Sequence, residues 1–142
     1  MKNGVLFTIL LCLSLLQALS TTEIYEASRH LYEKGNFEAA ERNFRDFIEQ
    51  YPQDPLVVNA HYWQAECLYA QEDFTAALKV FQGIVDFYPE TPKAPDAQIK
   101  IAKCYDKLGQ KKQALLEMKR VAKEYPDYPY MNKVNRFIRE LK

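Results

Sequence analysis

The feature that most constrains this chain is a step of 37 residues, taken twice. Tyr51-Pro52-Gln53-Asp54-Pro55 returns as Tyr88-Pro89-Glu90-Thr91-Pro92 and again as Tyr125-Pro126-Asp127-Tyr128-Pro129. The same step links Ala40 to Ala77 to Ala114, Phe44 to Phe81 to Met118, Ser28 to Ala65 to Ala102, and Leu31 to Leu68 to Tyr105. A fixed period of this size belongs to chains whose units cannot bury their apolar face alone and stack to do so.

Inside each unit a small residue is followed by a large apolar one three positions later. A second small residue comes twelve after the first, then an aromatic or Met four on. Two helices folded into a hairpin meet this pattern, since small residues let the axes approach and large ones fill the space beside them. Tyr-Pro closes the second helix, because proline disfavours helical backbone in the residue before it and donates no hydrogen bond. The second proline of each connection (Pro55, Pro92, Pro129) suits the first position of the next helix, where a missing N–H costs nothing. Asp54 and Thr91 are suitable N-caps.

Taken in order, the first helix is expected from about Thr22 to Lys34, burying Ile24, Ala27, Ser28 and Leu31 at i, i+3, i+4 and i+7. Gly35 supplies a left-handed turn. The second helix, about Glu38 to Tyr51, buries Ala40, Phe44, Phe47 and Ile48. The third starts after Asp54 and carries Tyr62, Trp63, Ala65 and Leu68. Glu72 then stands where the other copies have Gly35 and Gly109, so either the turn is strained there or it differs. The fourth, about Phe74 to Tyr88, buries Ala77, Phe81, Ile84 and Val85, with Gly83 as a weak point. The fifth, about Pro95 to Leu108, uses Ile101, Ala102 and Tyr105; the sixth, about Lys111 to Tyr125, uses Ala114, Leu115, Met118 and Val121. A last helix within residues 130–142 lays Phe137, Ile138 and Leu141 on the third hairpin and turns Lys133, Arg136, Arg139 and Lys142 to water, as a solenoid's end cap should.

The small–large–small–aromatic–Pro order resembles the tetratricopeptide repeat, whose usual length is about 34 residues. Here the extra residues fall in the Pro-x-x-Pro connection. The resemblance implies an all-α, right-handed solenoid of three helix-turn-helix hairpins plus a C-terminal capping helix. Its repeats fall at about 22–54, 58–91 and 95–128 within a domain of residues 21–142.

Residues 1–20 are of a different composition. Lys2 is their only charge, Val5 to Leu16 is almost wholly apolar, and Ala18-Leu19-Ser20 offers small residues for a cut after Ser20. That is the pattern of a cleavable signal peptide. The apolar stretch falls short of the ~20 residues that span a bilayer, so no membrane segment is expected after cleavage. An acylated Cys12 fits poorly, because Leu11 precedes it and it lies inside the apolar run. Cleavage removes one cation and no anion, taking the formal charge from zero to −1. With no basic run either, nothing recommends nucleic acid as a partner.

The sequence carries no phosphate loop, no Gly-x-Ser-x-Gly and no metal-ligand motif, so no catalysis, cofactor or metal is expected. His30, Cys67 and Cys104 are again 37 apart. They form a row with one member per hairpin, roughly 8–10 Å apart, which cannot converge on one ion. His61 lies six residues before Cys67 and points elsewhere. Two buried free thiols or a Cys67–Cys104 bridge both remain open; the bridge needs Cα atoms within about 7 Å.

In the tetratricopeptide family the first helices of the hairpins line a concave face that holds peptides or partner segments. Carried over by register, that face has three rows here: Tyr25, Tyr62, Ile99 and Arg136; Arg29, Glu66, Lys103 and Glu140; and Tyr32, Tyr69 and Asp106. The tyrosines are expected as an aromatic floor, since Tyr offers contact area and a hydroxyl at small entropic cost. The charged row alternates in sign, so it is expected to neutralise itself and not to form a charge clamp for a carboxylate.

The lengthened period, the Tyr-Pro closing each hairpin and the Tyr62-Trp63 pair resemble the C-terminal repeat domain of the cell-division coordinator family of the Tol–Pal system (YbgF/CpoB). That resemblance implies a periplasmic adaptor with Tol or peptidoglycan-synthesis proteins as partners. Members of that family trimerise through an N-terminal coiled coil. Here only Thr21 to Glu23 separates the signal from the first helix, so trimerisation is not carried over. The alternative is a resemblance to BamD-like outer-membrane assembly lipoproteins, which carry similar repeats but also a lipobox and more copies.

Overall fold

The computed structural model describes residues 20–142. The expected signal peptide, Cys12 included, lies outside the described residues except for Ser20. Helices α1 (Thr21–Glu33), α2 (Phe37–Gln50), α3 (Val57–Ala70), α4 (Phe74–Phe87), α5 (Ala94–Lys107), α6 (Lys111–Glu124) and α7 (Met131–Glu140) follow in order. Three-residue turns join α1 to α2, α3 to α4 and α5 to α6; six-residue links join the hairpins and lead into α7. Among the described residues there is no strand.

Each hairpin turn is the same object. Asn36, Asp73 and Gln110 donate their N–H to the carbonyls of Leu31, Leu68 and Tyr105 at 2.9, 3.0 and 2.8 Å. Closing that ring requires the preceding residue to be left-handed. Gly35 and Gly109 have φ of +79° and +75°, and Glu72 adopts +62°. The turn therefore does not change to suit Glu72; the side chain accepts the strain.

The links also repeat. Tyr51, Tyr88 and Tyr125 leave the helical region with φ near −130°, as a residue before proline must. A tight turn back to that tyrosine's carbonyl follows, and then a second one. In the second turn Val57, Ala94 and Met131 donate to the carbonyls of Asp54, Thr91 and Tyr128 at 2.9, 3.0 and 3.1 Å. The next helix thus begins two residues beyond Pro55, Pro92 or Pro129. Those prolines occupy the turn, not the first helical position. Neither expected cap forms. The N-cap of α3 is Leu56, with no side-chain cap, and the Asp54 carboxylate accepts the Leu56 N–H at 2.8 Å within the turn. The Thr91 hydroxyl donates back to the Tyr88 carbonyl at 2.8 Å. At the other end, Ser20 and Glu23 close a reciprocal capping box on α1.

The core is continuous between hairpins. Phe44 and Phe47 of α2 pack with Tyr25 of α1 and with Ala60 and Cys67 of α3. Phe81, Ile84 and Val85 of α4 pack with Ala65 of α3 and with Ala97, Ile101 and Cys104 of α5. Each second helix is thus wedged between its own partner and the next first helix. A fully buried Phe81 or Phe44 contributes about 1.5–3 kcal/mol on transfer grounds. Ile24, Leu31 and Ile48, expected to be buried, are half-buried, and two further placements differ more. Ala27 is exposed, because α1 has no neighbour on its outer side among the described residues. In α7 the fully buried residue is Val134, packed with Ala102, Met118 and Val121; Phe137, Ile138 and Leu141 are only half-buried around it.

Candidate partner-binding face

The first helices α1, α3 and α5, with α7, form one continuous face. Its aromatic residues hold the hairpins together. Tyr25 meets Phe44 edge-on at 5.7 Å, and one repeat later Tyr62 meets Phe81 at 5.5 Å. Tyr32 meets Phe37 at 5.2 Å, and Tyr69 meets Phe74 at 5.1 Å. These edge-to-face contacts are the favoured aromatic geometry and contribute about 0.5–1.5 kcal/mol each beyond burial. Tyr25 is only 6 % exposed, so it supports the face from beneath and is not part of its surface. Tyr32, Tyr62 and Tyr69 are half-buried and show part of their rings.

Above those rings lies a layer of cations. The Arg29 guanidinium sits 4.4 Å from the centroid of Trp63, Lys93 Nζ 4.7 Å from Tyr62, and Lys100 Nζ 5.1 Å from Tyr69. Each cation comes from a neighbouring hairpin, so each contact ties two repeats together.

The charged row does not pair along its length. Arg29 pairs with Glu33 on its own helix at 3.0 Å, and Arg136 lies 3.9 Å from Glu140. Glu66 pairs with Lys100, whose Nζ stands 2.6 Å from Oε1 and 2.7 Å from Oε2; only Oε2 has hydrogen-bond geometry. Equivalent positions of packed helices are roughly 8–10 Å apart, whereas Lys100 is one turn before Lys103 and reaches Glu66 directly. Lys103 is left without an ion pair among the described residues. Burial, and then the ammonium of Lys100, hold its own ammonium below the usual lysine range; Lys133 adds to this and Glu66 opposes it.

A cavity of about 290 Å³ opens at the C-terminal end of this face. Its walls are α5 and α7, with Tyr62 of α3 and Tyr128 and Tyr130 of the last link. Ile99, Lys103 and Arg136 are lining residues that the sequence reading placed on the face. Lys100, Lys133, Asp96, Tyr128 and Tyr130 join them without having been foreseen. Asp96, Lys100 and Lys103 stand at i, i+4 and i+7, as Tyr25, Arg29 and Tyr32 do on α1, so helical spacing puts them on one face.

Cys67 and Cys104 are free and fully buried. Burial pushes both thiols up to about 12, which keeps them protonated and unreactive. His61 packs beside the ring of Tyr88, and burial lowers its pKa. Among the described residues no cluster of three His, Cys, Asp or Glu could hold a metal, and no helix is long and apolar enough to cross a membrane.

Two family models, both described as tetratricopeptide repeat, match residues 25–92 and 68–134. No curated protein matches the sequence. Among solved structures, a tetratricopeptide repeat protein from Parabacteroides merdae is similar at a TM-score of 0.73 and 18 % identity, over 87 % of this chain and 46 % of that one. The chain thus spans about half of that relative's length. PcrH from Pseudomonas aeruginosa has a TM-score of 0.73 at 15 % identity, over 89 % of this chain and 96 % of its own. The Yersinia enterocolitica type III secretion chaperone SycD, solved with a peptide of the translocator YopD, has 0.73 at 13 % identity, over 89 % and 92 %. At these identities the likeness is one of fold.

Proposed function

The chain belongs to the tetratricopeptide repeat family, and on that premise we propose that it is an exported, non-catalytic adaptor that binds a protein segment along its first-helix face in the bacterial periplasm. The observation that carries this reading is the continuity of that face. Half-exposed tyrosines and a layer of cations run from α1 to α5 and end in an open cavity against α7. Aromatic rings, arginine and partly desolvated charge are the materials of protein-binding hot spots. Export is supported by the composition of residues 1–20, and the Tol–Pal association by the resemblance in period, Tyr-Pro closure and the Tyr62-Trp63 pair.

The test is affinity capture from envelope extract with residues 21–142 as bait, alongside fractionation of cells expressing the full chain. Arg29→Glu with Asp106→Arg alters the face away from the cavity and serves as control. Because Arg29 also stacks on Trp63 across two hairpins, the variant's melting temperature is measured alongside and must stay above the capture temperature. A Tol component or a peptidoglycan synthase held by the wild type and lost by the variant is the expected result. Outer-membrane assembly proteins would favour the BamD-like alternative. Equal capture by both baits, or recovery of the chain from the cytoplasm, would overturn the proposal. A second reading draws on SycD, which holds a translocator peptide; capture of a secreted polypeptide in unfolded form would favour such a chaperone role.

A further inference from the structure

The cavity between α5 and α7 has an unbalanced charge. Its lining includes Lys100, Lys103, Lys133 and Arg136, against Asp96 and Glu140. Asp96 is already engaged, accepting the Tyr128 hydroxyl at 2.6 Å and pairing with Lys93 at 3.6 Å. Glu66 takes Lys100, and Glu140 lies against Arg136. Lys103 and Lys133 have no ion-pair partner among the described residues, although the chain as a whole carries no net charge. Keeping a half-buried ammonium next to two others is unfavourable unless something anionic arrives. The uncharged part of the wall is Ile99, Met118, Val134 and Phe137 together with Tyr62, Tyr128 and Tyr130.

The size narrows the occupant. At about 290 Å³ the cavity stands at the lower end of pockets for whole small molecules, about 300 to 1,000 Å³, and one or two side chains of a longer ligand are of a size to fill it. Tyr62 of α3 lines the cavity and also belongs to the first-helix face, so a chain lying along that face can reach the cavity in passing. We propose that this cavity receives an acidic side chain and an adjacent apolar one from an internal segment of the partner, the carboxylate between Lys103 and Lys133 and the apolar group on Ile99 and Phe137. The inference rests on the reading of this face as a protein-binding surface. It adds the chemical class of the ligand and the end of the face that selects it.

The experiment is fluorescence anisotropy with labelled peptides blocked at both ends and carrying a central Glu-Phe, Gln-Phe or Lys-Phe pair, plus a Gln-Phe peptide with a free C-terminal carboxylate. The Glu-Phe peptide is expected to bind and to weaken with salt. Lys103→Gln with Lys133→Gln should weaken it at least about tenfold, since a hydrogen bond to a charged group is worth more than a neutral one. Lys103→Arg should retain binding, and an unchanged melting temperature for the Gln variant excludes unfolding. Equal binding of the Glu and Gln peptides, or equal binding by wild type and the Gln variant, would overturn the proposal. So would binding of the free-carboxylate peptide alone. If the Gln variant still captures the wild-type partner from extract while Arg29→Glu with Asp106→Arg does not, the face reading stands and this inference fails.

Discussion

Replacing Glu72 with glycine should stabilise this protein, and the repeat supplies its own controls. Glu72 sits at φ +62° where its equivalents are Gly35 and Gly109. The hydrogen bonds that fix the turn are the same in all three copies, so the backbone has not relaxed around the side chain. A left-handed L-residue costs about 1–2 kcal/mol, and glycine forfeits about 0.5–1 kcal/mol of that gain through the freedom of the unfolded chain. Glu72 is exposed and makes no ion pair or side-chain hydrogen bond among the described residues, so nothing else is lost. The expected net gain for Glu72→Gly is about 0.5–1 kcal/mol, or roughly 2–4 °C in melting temperature for a domain of this size. Urea denaturation should show a raised midpoint at unchanged slope. Gly109→Ala should lose about the same amount, because an added Cβ there meets nothing within 4 Å and only the backbone responds. The two changes lie in different hairpins, so the double variant should return close to the wild-type midpoint. A Glu72→Gly midpoint at or below that of the wild type would refute the reasoning.

Three further outcomes follow from the packing. Ala77 is fully buried where α4 crosses its neighbours, so Ala77→Leu should overpack the crossing and destabilise by about 1–3 kcal/mol in urea; an unchanged midpoint would contradict the crossing. Gly83 lies inside α4 with open space where a Cβ would stand, so Gly83→Ala should stabilise by about 0.5–1 kcal/mol, read as a raised urea midpoint; an unchanged midpoint would contradict this. Burial holds the His61 imidazole below its usual 6.5, so the unfolded chain takes up that proton first. The His61 contribution is then complete above pH 6.5 and is lost as pH falls from there through the lower folded value. His61→Gln should flatten the urea midpoint between pH 7 and 5, and a parallel pH profile for wild type and variant would exclude this role.

Much of the fold was legible because the period does the work of an alignment within one chain. Ala40, Ala77 and Ala114 mark the helix crossings by register alone, and all three are fully buried. The errors lie where a residue's setting is not repeated. Ala27 is exposed because, among the described residues, no helix packs on the outer side of α1. Val134, not Phe137, became the buried anchor of α7, because a short helix at an end is positioned by its contacts with α5 and α6 rather than by its own pattern. Thr91 has the residue type of a cap, yet its hydroxyl satisfies a carbonyl of the preceding helix. On the binding face, the rows were readable from the 37-residue register, but the pairing of charges was not. Glu66 chose Lys100 over Lys103 by reach across two helices, and reach depends on helix rotation and separation, which no pattern of types encodes. The cavity was missed for the same reason: three of its elements come from separate parts of the chain.

The central claim is that a partner lies on the first-helix face, and site-specific photo-crosslinking tests it most directly. A photoreactive side chain placed at Asp106, on the face, and another at Lys79, exposed on α4, would be compared in cells making the full chain. A single protein partner cross-linked from Asp106 and absent from Lys79 is the predicted result. A partner cross-linked from Lys79, or equally from both positions, would contradict it and move the binding surface to the second helices.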